Sequence, residues 1–153
     1  PVYITSLPTL QGIVAKIEVE KIPGIYGWMK HMYCVFMDRS SLRKSSEAII
    51  HGIKILKDGH SLVIFPEGTR SKGNSIGDFK AGSFKLATKS KKPIVPITIN
   101  GSYKIMEANS KKWLIKPGTV DFYIHPMVET LNLSKEEQDL LPEKIKAIIN
   151  SKL

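Results

Sequence analysis

The chain of 153 residues has a single cysteine and no long apolar run. With Cys34 as its only thiol it cannot form an intramolecular disulfide, and a reducing compartment is the natural interpretation. The apolar neighbours of Cys34 predict a small buried side chain and no reactive thiolate. No uninterrupted apolar segment approaches the roughly 20 residues that a helix needs to cross a bilayer. The sequence therefore excludes a disulfide scaffold and contains no membrane-spanning pattern.

Acidic residues are scarce relative to basic ones. The chain has 14 Asp and Glu against 23 Lys and Arg, which gives a formal net charge of +9. A charge this positive favours an anionic partner: a nucleic acid, a phospholipid surface or a phosphorylated substrate. Hydrophobic residues make up 42% of the chain, which is typical of a globular protein and argues against disorder.

Nucleotide-binding motifs are also missing. Neither G-x-x-x-x-G-K-[ST] nor G-x-G-x-x-G occurs in the sequence. The basic residues are spread along the chain and are not interleaved with aromatic residues, so nucleic acid is not predicted as a partner. No metal site and no cofactor is assigned. Of the anionic partners, a phosphorylated substrate and a lipid surface remain.

What is present is an alternation of strand and helix patterns. Apolar runs predict strands at 11–19, 34–37, 61–65, 93–99 and 119–125. Helical spacing predicts helices near 25–32, at 42–57, at 81–89, after a capping box at Ser134 and Glu137, and again from Pro142. This order predicts an α/β fold with a largely parallel or mixed sheet and helices packed on it. We expect a single domain over residues 1–153.

Cationic residues follow several of these strands. Arg39 comes after 34–37, Arg70 comes after 61–65, and Lys16 ends or follows the first strand. Strand-to-helix turns in such sheets lie at the carboxyl ends of the strands, where ligands bind. A guanidinium fits a phosphate as a fixed fork of donors, and Gly68 lets backbone N–H groups approach an anion. The pattern predicts a site for a phosphate monoester.

Five sequence blocks then resemble the phospholipid and glycerol acyltransferases, and most of all the bacterial 1-acyl-sn-glycerol-3-phosphate acyltransferases. In chain order they are "VAKIEV" (14–19), "FMDRS" (36–40), "FPEGTRS" (65–71), "KAGSFKLA" (80–87) and "PIVPITI" (93–99). The "FPEGTRS" block matches the family's block letter for letter. The resemblance covers about residues 12–99 and fades beyond Gly101. It implies a glycerol-3-phosphate acyltransferase-like fold.

The resemblance also implies a reaction and a set of binding residues. An acyl group would pass from acyl-CoA or acyl carrier protein to the free hydroxyl of 1-acyl-glycerol-3-phosphate (lysophosphatidic acid), giving phosphatidic acid. The expected place of action is the cytoplasmic face of the cell membrane, on an anionic surface that suits the positive charge. The residues expected to hold the phosphate and glycerol of the acceptor are Lys16, Arg39, Glu67, Gly68, Thr69 and Arg70.

One element of the family pattern is missing from these 153 residues. In the family a His-x-x-x-x-Asp block supplies the general base, which takes the proton of the acceptor hydroxyl. None of the histidines (His31, His51, His60 and His125) is followed by aspartate at that spacing. We therefore expect an N-terminally truncated fragment with no catalytic residue of its own and no turnover by itself. The alternatives are an acyltransferase for glycerol 3-phosphate or another lysophospholipid, and a noncatalytic lipid-phosphate binding module.

Several residues have a purely structural alternative. Glu67 and Arg70 suit a turn ion pair, which contributes less than about 1 kcal/mol when exposed. Asp38 is expected to anchor the turn that follows its strand. The apolar residues between Ile25 and Tyr33 are expected to form core, with contact to a membrane or acyl chain as the alternative. The segment "KKWLIK" (111–116) suits either a surface loop or an interfacial anchor built on Trp113.

Overall fold

The computed structural model describes residues 11–38, 40–70, 73, 75–105 and 115–153. The strands are β1 (Gly12–Lys16), β2 (Val35–Met37), β3 (Leu62–Val63), β4 (Ile97–Asn100) and β5 (Asp121–Ile124). The α-helices are α1 (Ile25–His31), α2 (Leu42–Lys57), α3 (Lys85–Ser90) and α4 (Lys135–Asn150). The chain groups into two compact units, the first formed by Pro1–Phe65 and Lys85–Lys92 and the second by Pro66–Phe84 and Pro93–Leu153. The expectation of one domain stays a prediction.

The first unit contains a parallel sheet with the strand order β2-β1-β3. β1 pairs with β2 so that Lys16 lies opposite Met37, and it pairs with β3 so that Gly12 lies opposite Leu62. Helices α1 and α2 connect the successive strands, as parallel pairing requires. The α/β fold with helices packed on a parallel sheet is therefore confirmed.

Two glycines allow close packing in this unit. A Cβ atom on Gly12 would lie 2.5 Å from the carbonyl oxygen of Tyr33 and 2.8 Å from Cδ2 of Leu62. A Cβ atom on Gly52 of α2 would lie 2.7 Å from Cδ2 of Leu86 on α3. Real Cβ contacts are essentially never shorter than 3.0 Å. The central strand therefore depends on the absence of a side chain at Gly12, whereas a methyl group at Gly52 would require the end of the Leu86 side chain to shift.

The core of the first unit excludes α1. It is formed by other buried apolar residues, among them Cys34, Val35, Ile55 and Leu86. No residue of α1 is buried, and Trp28 is 70% exposed. The expectation that the apolar residues from Ile25 to Tyr33 form core is wrong, because strand β2 and helices α2 and α3 already supply the side chains that fill this interior.

The second unit is built on an antiparallel pair and α4. β4 and β5 pair antiparallel, and Phe84, Leu141 and Ile145 form the buried cluster. The fully buried hydroxyl of Thr98 donates to the backbone carbonyl of Ile149 at 2.7 Å. Its oxygen lies 2.8 Å from Nε2 of His125. Because the hydroxyl proton is already donated, Nε2 of His125 carries a proton and donates to Thr98.

Helix α4 begins at the predicted capping box. The Ser134 hydroxyl accepts from the Glu137 N–H at 3.2 Å, and the Glu137 carboxylate accepts from the Ser134 N–H at 2.7 Å. The expectation that Pro142 starts a new helix is wrong, since α4 runs without a break from Lys135 to Asn150. Pro142 is buried beside Leu141, so packing against the core offsets the one backbone hydrogen bond that proline removes.

Replacing Gly12 with alanine tests the close approach around β1. Gly12→Ala should lower the free energy of unfolding by about 1–3 kcal/mol, because the nearest atom to the new methyl group is a backbone oxygen that cannot rotate away. The matched control is Gly27→Ala in α1, where no atom lies within 4 Å of the added Cβ. That change should stabilise the protein by about 0.5–1 kcal/mol. Urea unfolding measures both, and equal effects of the two changes would contradict the packing.

Candidate phosphate-binding site

The carboxyl ends of β1 and β2 lie side by side in the first unit. Lys16 is the last residue of β1, its side chain is exposed, and it pairs with Met37. Arg39 comes two residues after Met37 in the chain. Its own placement lies outside the described residues, so its assignment stays a prediction. The register nevertheless brings Lys16 to the edge at which β2 ends and Asp38 follows.

Asp38 anchors the turn between β2 and α2, as the sequence predicted. Its carboxylate accepts from the Ser40 N–H at 2.9 Å and from the Lys44 ammonium at 3.1 Å, and it also accepts from the Ser40 hydroxyl. Its backbone carbonyl accepts from the hydroxyl of Ser45 in α2. The Asp38 side chain is only 13% exposed. The two Ser40 donors, followed by Lys44, lower the pKa of Asp38 to about 2.

In the second unit the candidate loop begins directly after the segment that follows β3. Pro66 and Glu67 form a turn, and Gly68 then adopts φ of +67°. This left-handed conformation favours glycine, which explains why glycine stands between Glu67 and Thr69. Thr69 and Arg70 follow with exposed side chains. The turn therefore presents Thr69 and Arg70 at the surface of its unit, while Glu67 and Gly68 are half-buried.

Two hydrogen bonds close this loop. The Lys80 N–H donates to the carbonyl of Pro66 at 3.0 Å, so the two ends of the loop meet. Inside it, the Gly77 N–H donates to Oε2 of Glu67 at 2.8 Å. A Cβ atom on Gly77 would lie 3.1 Å from that oxygen, so glycine leaves room for the carboxylate. Glu67 thus stabilises the loop from within, and its ion pair with Arg70 stays a prediction.

The far end of the loop is fixed to the body of the second unit. Asp78 accepts from the ammonium of Lys146 on α4 at 3.0 Å. Phe79 packs against the buried cluster, with its ring centre 6.3 Å from that of Phe84. An isolated exposed ion pair contributes little, so the aromatic contact is the stronger anchor. The loop that carries Arg70 is therefore closed at its base by Pro66 and Lys80, and Phe79, next to Lys80, attaches this base to the packed core.

Three titratable residues outside this loop, His31, His60 and Cys34, have structural contacts. His31 Nδ1 lies 2.7 Å from the carbonyl of Gly27, and the His60 ring stacks on Tyr33. Cys34 is buried and its sulfur accepts from the Ile13 N–H, and burial raises the pKa of the thiol. Within the residues that the structure describes, no three His, Cys, Asp or Glu side chains are grouped so as to hold a metal ion.

The structure thus places the predicted residues in two groups. Glu67, Gly68, Thr69 and Arg70 share one closed turn in the second unit, and Lys16 ends β1 in the first. Sequence reasoning missed Gly77 as the partner of Glu67, which stands ten residues away in the chain. No local pattern signals that contact. The only sequence feature related to this contact is the second glycine of "GNSIGD", which is Gly77.

Hydrogen exchange at the Gly77 N–H tests the role of Glu67 inside the loop. Glu67→Ala removes the acceptor, so hydrogen exchange at Gly77 should accelerate and the free energy of unfolding should fall by about 1 kcal/mol. Glu67→Gln keeps an oxygen at the same reach and should retain most of the protection. NMR-detected exchange measures this, and an unchanged Gly77 rate in Glu67→Ala would contradict the closed loop.

The lowered pKa of Asp38 predicts that the folded protein loses stability in acid. A folded-state pKa lowered from 3.8 to about 2 means that the carboxylate stabilises the fold above its unfolded pKa. That contribution is lost as the pH falls from about 4 towards 2. An NMR titration of the Asp38 carboxyl should give a midpoint near 2, and Ser40→Ala should raise it because Ser40 is the main cause. A midpoint near 3.8 in the unchanged protein would contradict the turn.

Comparison with known proteins supports the resemblance. The Acyltransferase family model matches residues 3–100. The chain is 34% identical over 153 residues to a 1-acyl-sn-glycerol-3-phosphate acyltransferase of Borreliella burgdorferi, covering 99% of this chain and 59% of that protein. It is 32% identical over 142 residues to a probable 1-acyl-sn-glycerol-3-phosphate acyltransferase of Mycoplasma genitalium, covering 90% of this chain and 53% of that protein. The chain thus spans little more than half the length of these relatives.

A solved structure has the same fold. It is the crystal structure of the 1-acyl-sn-glycerophosphate (LPA) acyltransferase PlsC from Thermotoga maritima, with a TM-score of 0.79 and 28% identity. The match covers 97% of this chain and 58% of that protein. The sequence blocks, the parallel sheet and the family match over residues 3–100 agree, and the chain belongs to the acyltransferase family.

Proposed function

We propose that this chain supplies the acceptor-binding part of an enzyme that transfers a fatty acyl group to 1-acyl-sn-glycerol-3-phosphate, giving phosphatidic acid. The observation that carries the proposal is the loop closed between Pro66 and Lys80, which presents Arg70 two residues after the left-handed Gly68. Relatives that match nearly the whole chain bear the name of this activity, which supports the same acceptor.

The chemistry of the acceptor explains the residues. Lysophosphatidate ends in a phosphate monoester, whose oxygens match the two parallel N–H donors of a guanidinium. A preformed loop loses less conformational entropy on binding than a flexible one. The closure by Glu67–Gly77 and Pro66–Lys80 therefore favours binding through Arg70. Gly68 and Thr69, which share the turn with Arg70, are proposed as neighbours of the glycerol. The phosphate roles of Lys16 and Arg39 stay predictions from the family resemblance.

The proposed reaction also needs a base and an acyl donor. No histidine in these 153 residues has aspartate at the family's spacing, so the residues described here are proposed to recognise the acceptor and not to take its proton. The donor is proposed to be acyl-CoA or acyl carrier protein, and no cofactor is needed for transfer from a thioester. The proposed place of action is the cytoplasmic face of the cell membrane, where a lipid acceptor and an anionic surface occur together.

Removing the Arg70 guanidinium tests the proposal. Arg70→Ala should weaken binding of a short-chain lysophosphatidate by about 10- to 100-fold, because a charge-assisted hydrogen bond contributes about 1.5–3 kcal/mol. Arg70→Lys should recover only part of the loss, since a point charge lacks the guanidinium fork. Isothermal titration calorimetry measures the affinities, and thermal unfolding verifies that the variants fold.

Two controls sharpen this experiment. Arg43 on α2 has a side chain that is 88% exposed and pairs with Glu47 at 3.0 Å, so Arg43→Ala should leave binding unchanged. Glycerol 3-phosphate and lysophosphatidylcholine test the other acceptors. Tighter binding of either than of lysophosphatidate would replace the proposed substrate, and unchanged lysophosphatidate binding by Arg70→Ala would refute the phosphate role of Arg70.

A further inference from the structure

Helix α1 and the segment before it leave large apolar side chains exposed to water. Trp28 is 70% exposed, Ile22 is 45% exposed and Ile25 is 44% exposed. Ile25 and Trp28 lie one turn apart on the same side of the helix, and Ile22 stands three residues before Ile25 in the chain. We call these three side chains the α1 face. A group of exposed aliphatic and indole side chains of this kind marks an interaction surface.

Positive charge is concentrated in the same unit. The first unit contains twelve Lys and Arg against five Asp and Glu, a formal charge of +7. The second unit has eleven against nine, a formal charge of +2. Lys21 adjoins Ile22, and Lys30 follows Trp28 by two residues, and both lysines are exposed. Lys21 and Lys30 therefore flank the α1 face in the more positive unit, and the exposed Glu20 adjoins Lys21.

We propose that the α1 face is a membrane-docking surface, which inserts among the headgroups of an anionic phospholipid bilayer while Lys21 and Lys30 contact the lipid phosphates. Indole rings prefer the boundary between headgroups and acyl chains, and lysine stems extend from an apolar surface to keep the ammonium in water. The seven residues of α1 are too few to cross a bilayer, so the helix lies in the plane of the surface.

The combination of side chains decides between a membrane and an acidic protein. An acidic protein would pair with the lysines, but charge complementarity alone gives no reason for an indole that is 70% exposed. A bilayer accounts for both features, because it offers phosphates above an apolar layer. In the part of the chain that the structure describes, no helix is long and apolar enough to span a membrane.

This inference rests on the proposed action on a membrane lipid and identifies the surface used. It does not depend on Arg70, since docking needs no phosphate held in the loop. Vesicle binding by Arg70→Ala at unchanged affinity would therefore support docking through α1 even if the loop failed to bind lysophosphatidate. The two proposals fail in different experiments.

Tryptophan fluorescence gives a direct test. The chain has two tryptophans, so Trp113→Phe leaves Trp28 as the only indole. Phosphatidylcholine vesicles that contain phosphatidylglycerol should shift the Trp28 emission to shorter wavelength, and brominated acyl chains should quench it. Phosphatidylcholine alone should produce neither change. Co-sedimentation with the same vesicles measures the affinity.

Variants test whether vesicle binding depends on the α1 face or on exposed apolar side chains in general. Trp28→Ala should weaken vesicle binding about tenfold through lost apolar contact. Lys21→Glu combined with Lys30→Glu should abolish the dependence on phosphatidylglycerol. The matched control is Leu140→Ala in the second unit, which alters an apolar side chain of similar exposure, 65%, and should leave binding unchanged.

Three results would overturn the proposal. The first is no binding to vesicles that contain phosphatidylglycerol. The second is vesicle binding in which Trp28 stays accessible to water while Trp113, studied alone in Trp28→Phe, becomes quenched. The third is burial of Trp28 by acyl carrier protein without any response to vesicles, which would assign the α1 face to a protein partner.

Discussion

The parallel pairing of β1 with β2 and β3 is the constraint on which the first unit depends. β1 lies between the other two strands, and Gly12 at its start donates its N–H to the carbonyl of Ser61. A side chain at Gly12 would collide with the Tyr33 carbonyl, so this register requires glycine. The same register brings Lys16 opposite Met37. Backbone packing at one end of β1 thus determines where a cation emerges at the other.

The second unit holds the loop between Pro66 and Lys80 by a different means. Here the chain closes on itself, through the Lys80 N–H and the Pro66 carbonyl, and a carboxylate inside the loop holds the Gly77 N–H. The aromatic residues that follow join the cluster of Leu141 and Ile145 on α4. These two hydrogen bonds restrict the backbone at Pro66, Glu67, Gly77 and Lys80, and recognition of a phosphate favours donors that are held in place before binding.

Sequence reasoning predicted the elements whose signal is local. Apolar runs indicated β2 and β3, and the capping box at Ser134 indicated the start of α4. It failed where a distant contact decided the outcome. The sequence predicted a helix start at Pro142, but this residue lies within α4 and is buried beside Leu141. Helical spacing identified the apolar stripe of α1 but not that it faces water. The Glu67–Gly77 contact, like most loop closures, lies beyond any local pattern.

A lipid acceptor combines a charged head with an apolar tail, and binding the head and contacting the bilayer require different protein surfaces. A phosphate is best met by a few donors in fixed geometry, which favours a closed loop on a packed core. A bilayer has no fixed geometry, so contact with it favours an exposed face with side chains that extend and adapt. The chain contains one element of each kind, the loop that presents Arg70 and the helix that exposes Trp28. Under the two proposals, headgroup recognition and membrane contact depend on separate residues.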